Sequence, residues 1–430
     1  MENYNADSLL EFLDNSPCNF WAVETIKKHL VANGFEELQP ADKWNIKKGG
    51  KYFVTKNDSA IFGIKVGTEP LSETGFRIIS AHSDSPCFRI KPNPEMLADG
   101  VLRINTEVYG GPILYTWFDR PLSIAGRVIL KNPENILKPT TRLIDFKKPV
   151  LIIPHLAIHF NRTVNDGNKL SKQKDMLPIA AIVTDTVEKD GFILKKVAEE
   201  LHVAVTDILD FDLLLYNCQK AQRVGFNGEF ISSGRIDDLS MAHAAMCALI
   251  KGSNTTTTQV MAIFDNEETG SGTKQGAASP VLANILHRIA LATRVDQEGF
   301  YQALSNSFMI SADNAHAAHP NYPEKYDPTN HPVMGGGPTI KINANCKYMT
   351  DANSSAIFIE LCKKAKSPYQ FFVNHSDNAG GSTLGNILTS QMDINGVDMG
   401  NPIWAMHSAY ETGSIADHQN AINVFTEFFN

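Results

Sequence analysis

Short β-branched runs that stop abruptly in acids and histidines recur along this chain. From Phe76 the residues pass through Ile78-Ile79-Ser80-Ala81 into His82, Ser83 and Asp84, the pattern of a buried strand with a polar end. Gln259–Phe264 halts in the same way at Asp265, Glu267 and Glu268, Phe308–Ser311 at Asp313, and Ile403–Met406 at His407. Helical periodicities lie between them, over Leu239–Ile250, Pro280–Ala292, Ser354–Lys364 and Ile415–Phe429. An earlier one spans Cys18 to Gly34, with Phe20, Ala22, Ile26, Leu30 and Val31 at helical spacing and Gly34 placed to end it in a left-handed cap. Strands alternating with helices predict an α/β sheet covered on both faces. Ligands of such sheets bind just beyond the carboxyl ends of the strands, where these acids and histidines fall.

The middle of the chain follows another rhythm. Across residues 93–222 shorter strands are predicted at Ile104–Tyr109, Ser123–Leu130, Val150–Ile153 and Phe192–Lys195, with Pro112, Pro121, Pro133, Pro139 and Pro149 between them. We read this as a β-rich insertion between the halves of one catalytic domain, residues 1–92 and 223–430. A length of 430 residues suits that division.

Composition narrows the function. With 43% hydrophobic and 20% charged residues the chain has material for packed interiors. The balance of 39 basic against 47 acidic residues, a net charge of −8, argues against nucleic-acid binding, which needs surplus Lys and Arg. No run reaches the roughly 18 apolar residues of a membrane span. The six cysteines form no C-x-x-C pair, and the opening MENYNADSLLEFLDNSP lacks a basic start followed by an apolar stretch, so a cytoplasmic location is expected.

The strand-end residues carry the candidate chemistry. His82-Ser83-Asp84 sets an imidazole and a carboxylate on the same side of an extended segment, where the acid either supports the ring or joins it on a metal. In Gly234-Arg235-Ile236-Asp237-Asp238-Leu239, Asp238 suits a helix cap and Asp237 a ligand. The run Asp265-Asn266-Glu267-Glu268 crowds three carboxylates beside a strand end; a solvated acidic turn is the plain alternative, but buried there the charges repel unless a cation neutralises them. Asp313 and His407 add one acid and one imidazole. Histidines mixed with carboxylates, and no cysteine, suit zinc, cobalt or manganese. His155 and His159 have zincin spacing, but Leu156 stands where a zincin helix needs Glu, so that reading fails.

These segments, SAHSDSPCFRIKP, GRIDDL, FDNEETGSG, ISADNAHAAHPNYPEKYDPTNHP and MHSAYETG, resemble the aspartyl aminopeptidase family from Phe12 to the C-terminus. The resemblance implies a mixed, zinc-exopeptidase-like central sheet sandwiched by helices, with an inserted β-rich dimerisation domain. It implies two divalent metal ions, zinc first and cobalt or manganese as alternatives, held by His82, Asp237, Glu268, Asp313 and His407, with Asp237 bridging. Glu267 would be the general base and Asp84 would orient His82. Lys341 would hold the acidic side chain of an N-terminal Asp or Glu, although a strand-edge lysine facing solvent is its ordinary reading. His159 would reach a neighbouring subunit's site to polarise the substrate carbonyl. The resemblance further implies dimers assembling into a tetrahedral particle of twelve subunits.

Two departures from the family pattern stand out: Trp21 where a His is common, and Asp377-Asn378-Ala379-Gly380-Gly381-Ser382-Thr383 in place of a Pro-Cys-Gly core. The implied reaction is hydrolysis of the first peptide bond, with Glu267 taking a proton from the attacking water and returning it to the leaving amine. Two rivals remain open: a dinuclear aminopeptidase preferring neutral residues, and a catalytically silent oligomeric scaffold.

Overall fold

The computed structural model describes residues 4–184, 190–378 and 380–430. Contacts divide them into two compact units, one of residues up to Asp84 with Ala221–Met406 and Glu411–Asn430, the other of Ser85–Lys220 with His407–Tyr410.

The first unit is built on a nine-stranded sheet in the order Glu36–Glu37, Lys51–Lys56, Ala60–Lys65, Thr258–Phe264, Phe76–His82, Phe308–Ala312, Asn395–Gly400, Thr339–Ile342, Gln370–Val373. Phe76–His82 runs parallel to both its neighbours, and Phe308–Ala312 parallel to Asn395–Gly400. Ala60–Lys65 and Thr339–Ile342 join this parallel centre antiparallel, so the sheet is mixed.

Alternation along each strand explains why helices cover both faces. Ile79, Ala81, Met261, Ile263 and Ile310 pack into one apolar cluster with Leu9, Ile26, Leu239, Phe358 and Phe425, drawn from five helices. Their chain neighbours Ile78, Val260, Ala262, Phe264 and Met309 point the other way, against Leu282, Ile289, Ala303 and Leu388. Successive side chains of a strand leave opposite faces, so runs apolar at every position need partners on both. The predicted helices appear as Asn19–Ala32, Ile236–Lys251, Val281–Ala292, Ala352–Lys364 and Ile415–Phe428. Gly34 lies at φ +79 beyond the first of them, as its place in the sequence suggested. Asp351 and Ser354 close a capping box on Ala352–Lys364.

The second unit holds a six-stranded antiparallel sheet around its own core, in which Phe88 meets Trp117 edge-on at 5.0 Å. Two strand expectations fail there. Phe192–Lys195 opens a helix, Phe192–Leu201, because buried Ile193, Val197 and Ala198 continue at helical spacing past the short run read as a strand. Val150–Ile153 makes only single bridges, Leu151 to Leu122 and Ile152 to Ile179, since flanking Pro149 and Pro154 lack the N–H a ladder requires.

A third correction concerns Ile403–Met406. Pro402–Ile403 pairs with Ala315–His316 in a separate two-stranded sheet, and Trp404 makes one further bridge, to Thr412. Ala405 at φ 55 and His407 at φ 68 take left-handed backbone that cannot extend a strand. Among the described residues no helix is long and apolar enough to cross a membrane.

The parallel strands deliver their ends at close quarters. A Cβ on Gly400 would lie 1.8 Å from the carbonyl oxygen of Asp313, so only glycine lets these two backbones meet. Gly400→Ala should therefore push the Asp313 segment away and cost about 1–3 kcal/mol as overpacking does. Thermal unfolding should show a melting point several degrees lower; an unchanged one would contradict this packing.

Candidate metal centre

His82 is the last residue of its strand and is almost fully buried, at 1% exposure. Its backbone N–H donates to Asp238 Oδ2 at 3.1 Å. Its Nδ1 lies 3.0 Å from the Asp84 carbonyl and 3.3 Å from Asp84 Oδ1, a setting that keeps the proton on Nδ1. Nε2 is thereby turned toward Asp237 Oδ1 at 3.6 Å, Asp238 Oδ2 at 3.9 Å and Asp313 Oδ1 at 4.0 Å.

One ligand atom from each of His82, Asp237, Asp238 and Asp313 falls within 4.8 Å of all the others, and His82 forms a second such group with Glu267 and Glu268. Asp84 ties the two together. Its carboxylate accepts the backbone N–H of Glu267 at 3.1 Å and of Glu268 at 3.2 Å while it faces the His82 ring. The turn carrying both glutamates is thus fixed to the same carboxylate that orients the imidazole.

So many carboxylates in one buried place disturb each other. Burial, reinforced by Asp237 and neighbouring acids, holds Glu268 well above the ordinary carboxylate range. Burial likewise raises Glu267 to about 8, with Asp313, Asp84 and Asp237 adding to it against the opposing pull of His82. Asp238 is held well above its usual value by burial, and Asp265 is pushed up to about 7 by burial and by Asp84. Burial alone would deprotonate His82, but Asp238, Asp237 and Asp84 outweigh it and hold the ring's pKa well above its normal value. A divalent cation relieves this repulsion, and nitrogen and oxygen donors without thiolate suit zinc, cobalt or manganese.

Lys341 is buried, at 4% exposure, and its Nζ stands 3.3 Å from Asp313 Oδ2 and 5.8 Å from the centre of the Tyr348 ring. The solvent-facing reading of this lysine is overturned. Burial pulls its pKa down, but Asp313 and its neighbours more than compensate, so the ammonium stays charged.

His407 and His159 both fall in the second unit. His407 Nδ1 is 3.1 Å from the Gly111 carbonyl, and His159 sits in an exposed turn between Ile158 and Phe160, which are 48% and 81% exposed. Trp21 lies on Asn19–Ala32 with Lys28 Nζ 5.7 Å from its ring, and Thr383 Oγ1 donates to Asp398 at 2.7 Å; Ala379 of that loop lies outside the described residues.

The sequence reading gave Asp238 the wrong task. Asp237 and Asp238 leave helical φ/ψ, so Asp238 does stand where the regular part of Ile236–Lys251 begins, but it is fully buried with Oδ2 accepting from the His82 N–H and Oδ1 from Asn314 Nδ2 at 3.2 Å. It braces the site instead of capping the helix. Asn314 and Asn19 went unnoticed as supports. Asn314 also donates to the Ile236 carbonyl at 3.0 Å, and Asn19 donates to Asp265 at 3.0 Å. Adjacency to Asp313 could have flagged Asn314, whereas Asn19 is 246 positions from its partner and carries no local signal.

Residues 12–429 match the family described as "Aminopeptidase I zinc metalloprotease (M18)". A probable M18 family aminopeptidase 2 of Clostridium novyi (strain NT) is 53% identical over 99% of this chain and 98% of its own length. A chain from a cryo-EM structure of an Ape4 and Nbr1 complex superposes with a TM-score of 0.94 at 33% identity, covering 99% of this chain and 85% of that one. The S. cerevisiae mApe1 dodecamer gives a TM-score of 0.85 at 27% identity, covering 99% and 96%. The architecture is a zinc-exopeptidase-like fold.

The raised acids set a sign for the effect of metal. In the unfolded chain Glu267 loses its proton near pH 4.5, in the metal-free fold only near 8, so metal-free stability falls as pH rises through that interval. His82 acts in the same direction above its unfolded value of 6.5. Melting of chelator-stripped protein with and without added zinc should show a zinc-induced rise that is larger at pH 8 than at pH 5.5. The difference cancels titrations elsewhere, and a rise that shrinks with pH would contradict the burial of these acids.

Proposed function

The chain belongs to the M18 family of zinc metalloproteases and is a metalloaminopeptidase, and from that premise we propose that it removes N-terminal Asp or Glu from peptides at a pair of divalent cations. His82, Asp237, Glu268, Asp313 and His407 would hold the pair, Asp237 between them, with zinc as the first choice and cobalt or manganese as substitutes. Bound there, the ions supply a water of lowered pKa and polarise the carbonyl under attack.

The chain's own groups do the rest. Glu267 takes the proton of the attacking water and returns it to the leaving amine. Its raised proton affinity belongs to the metal-free cluster, and cations beside it bring it down toward the range a base uses at neutral pH. Asp84 keeps the His82 proton on Nδ1, which leaves Nε2 as the ligand atom.

The observation that carries the acidic preference is the buried, charged Lys341 beside Asp313. A net acidic protein has few ways to hold an acidic substrate, and a desolvated ammonium at the site's edge supplies both attraction and selection. His159 is proposed to enter the site of a second copy and polarise the substrate carbonyl. Exposed Leu156, Ile158 and Phe160 around it support a turn that docks against protein. Residues 93–222 would carry the dimer contacts, and by likeness to the relative solved as a dodecamer, dimers would assemble into a tetrahedral particle of that size. A cytoplasmic setting is part of the same proposal and rests on the scattered cysteines.

Three measurements bear on this reading. Glu267→Gln should lower kcat by about 10²- to 10⁴-fold while bound metal is retained; full turnover would remove the base. Lys341→Met should cut kcat/KM for Asp and Glu amides by roughly 10- to 100-fold more than for a Leu amide, whose smaller change reports the loss of the Asp313 partner. Wild-type protein that favours the Leu amide would transfer the case to the neutral-preferring alternative. Light scattering of the purified protein should give a mass far above one chain, and a monomer would exclude the shared site.

A further inference from the structure

Asn266, between Asp265 and the proposed base, is held more tightly than a turn residue needs to be. It takes left-handed backbone, φ 63 and ψ 26, directly after the strand end. Asparagine is one of the few residues with a side chain that enters this region readily. Its N–H donates to Asp265 Oδ1 at 2.8 Å, and that carboxylate also accepts from Asn19 Nδ2 at 3.0 Å. Its carbonyl accepts from Ser271 at 2.7 Å and Thr269 at 3.3 Å. Its side-chain Oδ1 accepts from Thr273 Oγ1 and from Gln275 Nε2, both at 2.8 Å.

These bonds join the limb leaving the strand to the limb returning after Gly270. The left-handed kink also aims two successive N–H groups, those of Glu267 and Glu268, at the one carboxylate of Asp84. Glycine could supply the same φ, but it would take away the acceptor of Thr273 Oγ1 and leave Gln275 Nε2 only its longer contact to Asp265 Oδ2 at 3.5 Å. The side chain therefore does something the backbone conformation alone does not require. We propose that Asn266 is a positioning residue for catalysis, which fixes the Glu267 carboxylate against the reacting water by clamping its turn between Asp265 and the Thr273–Gln275 limb. The proposal rests on Glu267 serving as the base and adds a residue through which that base acts.

The test uses metal-loaded, full-length protein as Asn266→Gly, Thr273→Val, Glu267→Gln and the Asn266→Gly/Glu267→Gln pair. Asn266→Gly should lower kcat about 10- to 100-fold, the size of a misplacement near 1 Å, with KM changed less than about 3-fold. Bound metal per chain should stay at the wild-type value. On the Glu267→Gln background the same change should alter residual turnover by less than about 3-fold, because a residue acting through Glu267 has nothing left to position. Thr273→Val leaves the backbone kink alone and should give a smaller kcat loss of the same kind, and it carries the test if Asn266→Gly does not fold.

A wild-type kcat in both Asn266→Gly and Thr273→Val would overturn the proposal. So would a full multiplicative loss on the Glu267→Gln background, or a loss of activity matched by loss of metal. Full turnover in Glu267→Gln is a separate result: it removes the base itself, whatever Asn266→Gly does.

Discussion

The structure turns on the cost of crowding negative charge where water is scarce. Asp84, Asp237, Asp238 and Asp265 are each at most 2% exposed, and Glu267, Glu268 and Asp313 adjoin them. The His82 imidazole stands among them. Without further positive charge the acids respond by holding their protons, as the raised values of Glu267, Glu268 and Asp238 describe. A pair of divalent cations would instead let them ionise and convert repulsion into coordination. Lys341 belongs to the same balance, since it contributes a fixed charge on the Asp313 side of the cluster.

The fold accepts this crowding because the sheet is rigid and its supports are many. Parallel strands bring His82 and the acids after Phe264 and Ala312 to one edge, with apolar clusters on both faces. Around the acids a ring of neutral donors takes up carboxylate oxygens: Asn314 on Asp238, Asn19 on Asp265, and the Glu267 and Glu268 backbone on Asp84. Each of these bonds fixes a carboxylate in direction without adding charge. Precision at the site therefore comes from amides and backbone as much as from ligands.

How much of this could be read beforehand depended on how local each signal was. The buried strands were legible because Ile78-Ile79 and Gln259–Phe264 are apolar on both faces and end in abrupt polarity. His82, Glu267 and Asp313 announced themselves by standing where those strands stop. Ile403–Met406 misled because four apolar residues look extended, and nothing in them reveals left-handed backbone at Ala405 and His407. Phe192–Lys195 misled because the window closed before Val197 and Ala198. The burial of Lys341 had no local mark at all; it follows from a sheet position between two other strands, a long-range property. Asp238 was mistaken because a helix cap is a local explanation and its true partners, His82 and Asn314, are 156 and 76 positions away.

The proposed chemistry requires cations at the edge of this sheet. Anomalous diffraction at the zinc absorption edge, from crystals of the metal-loaded protein, tests this most directly. Two peaks should appear for each chain, both bounded by Asp237, with His82, Glu268 and Asp313 within coordinating distance. Peaks elsewhere, or none among these residues in active protein, would contradict it.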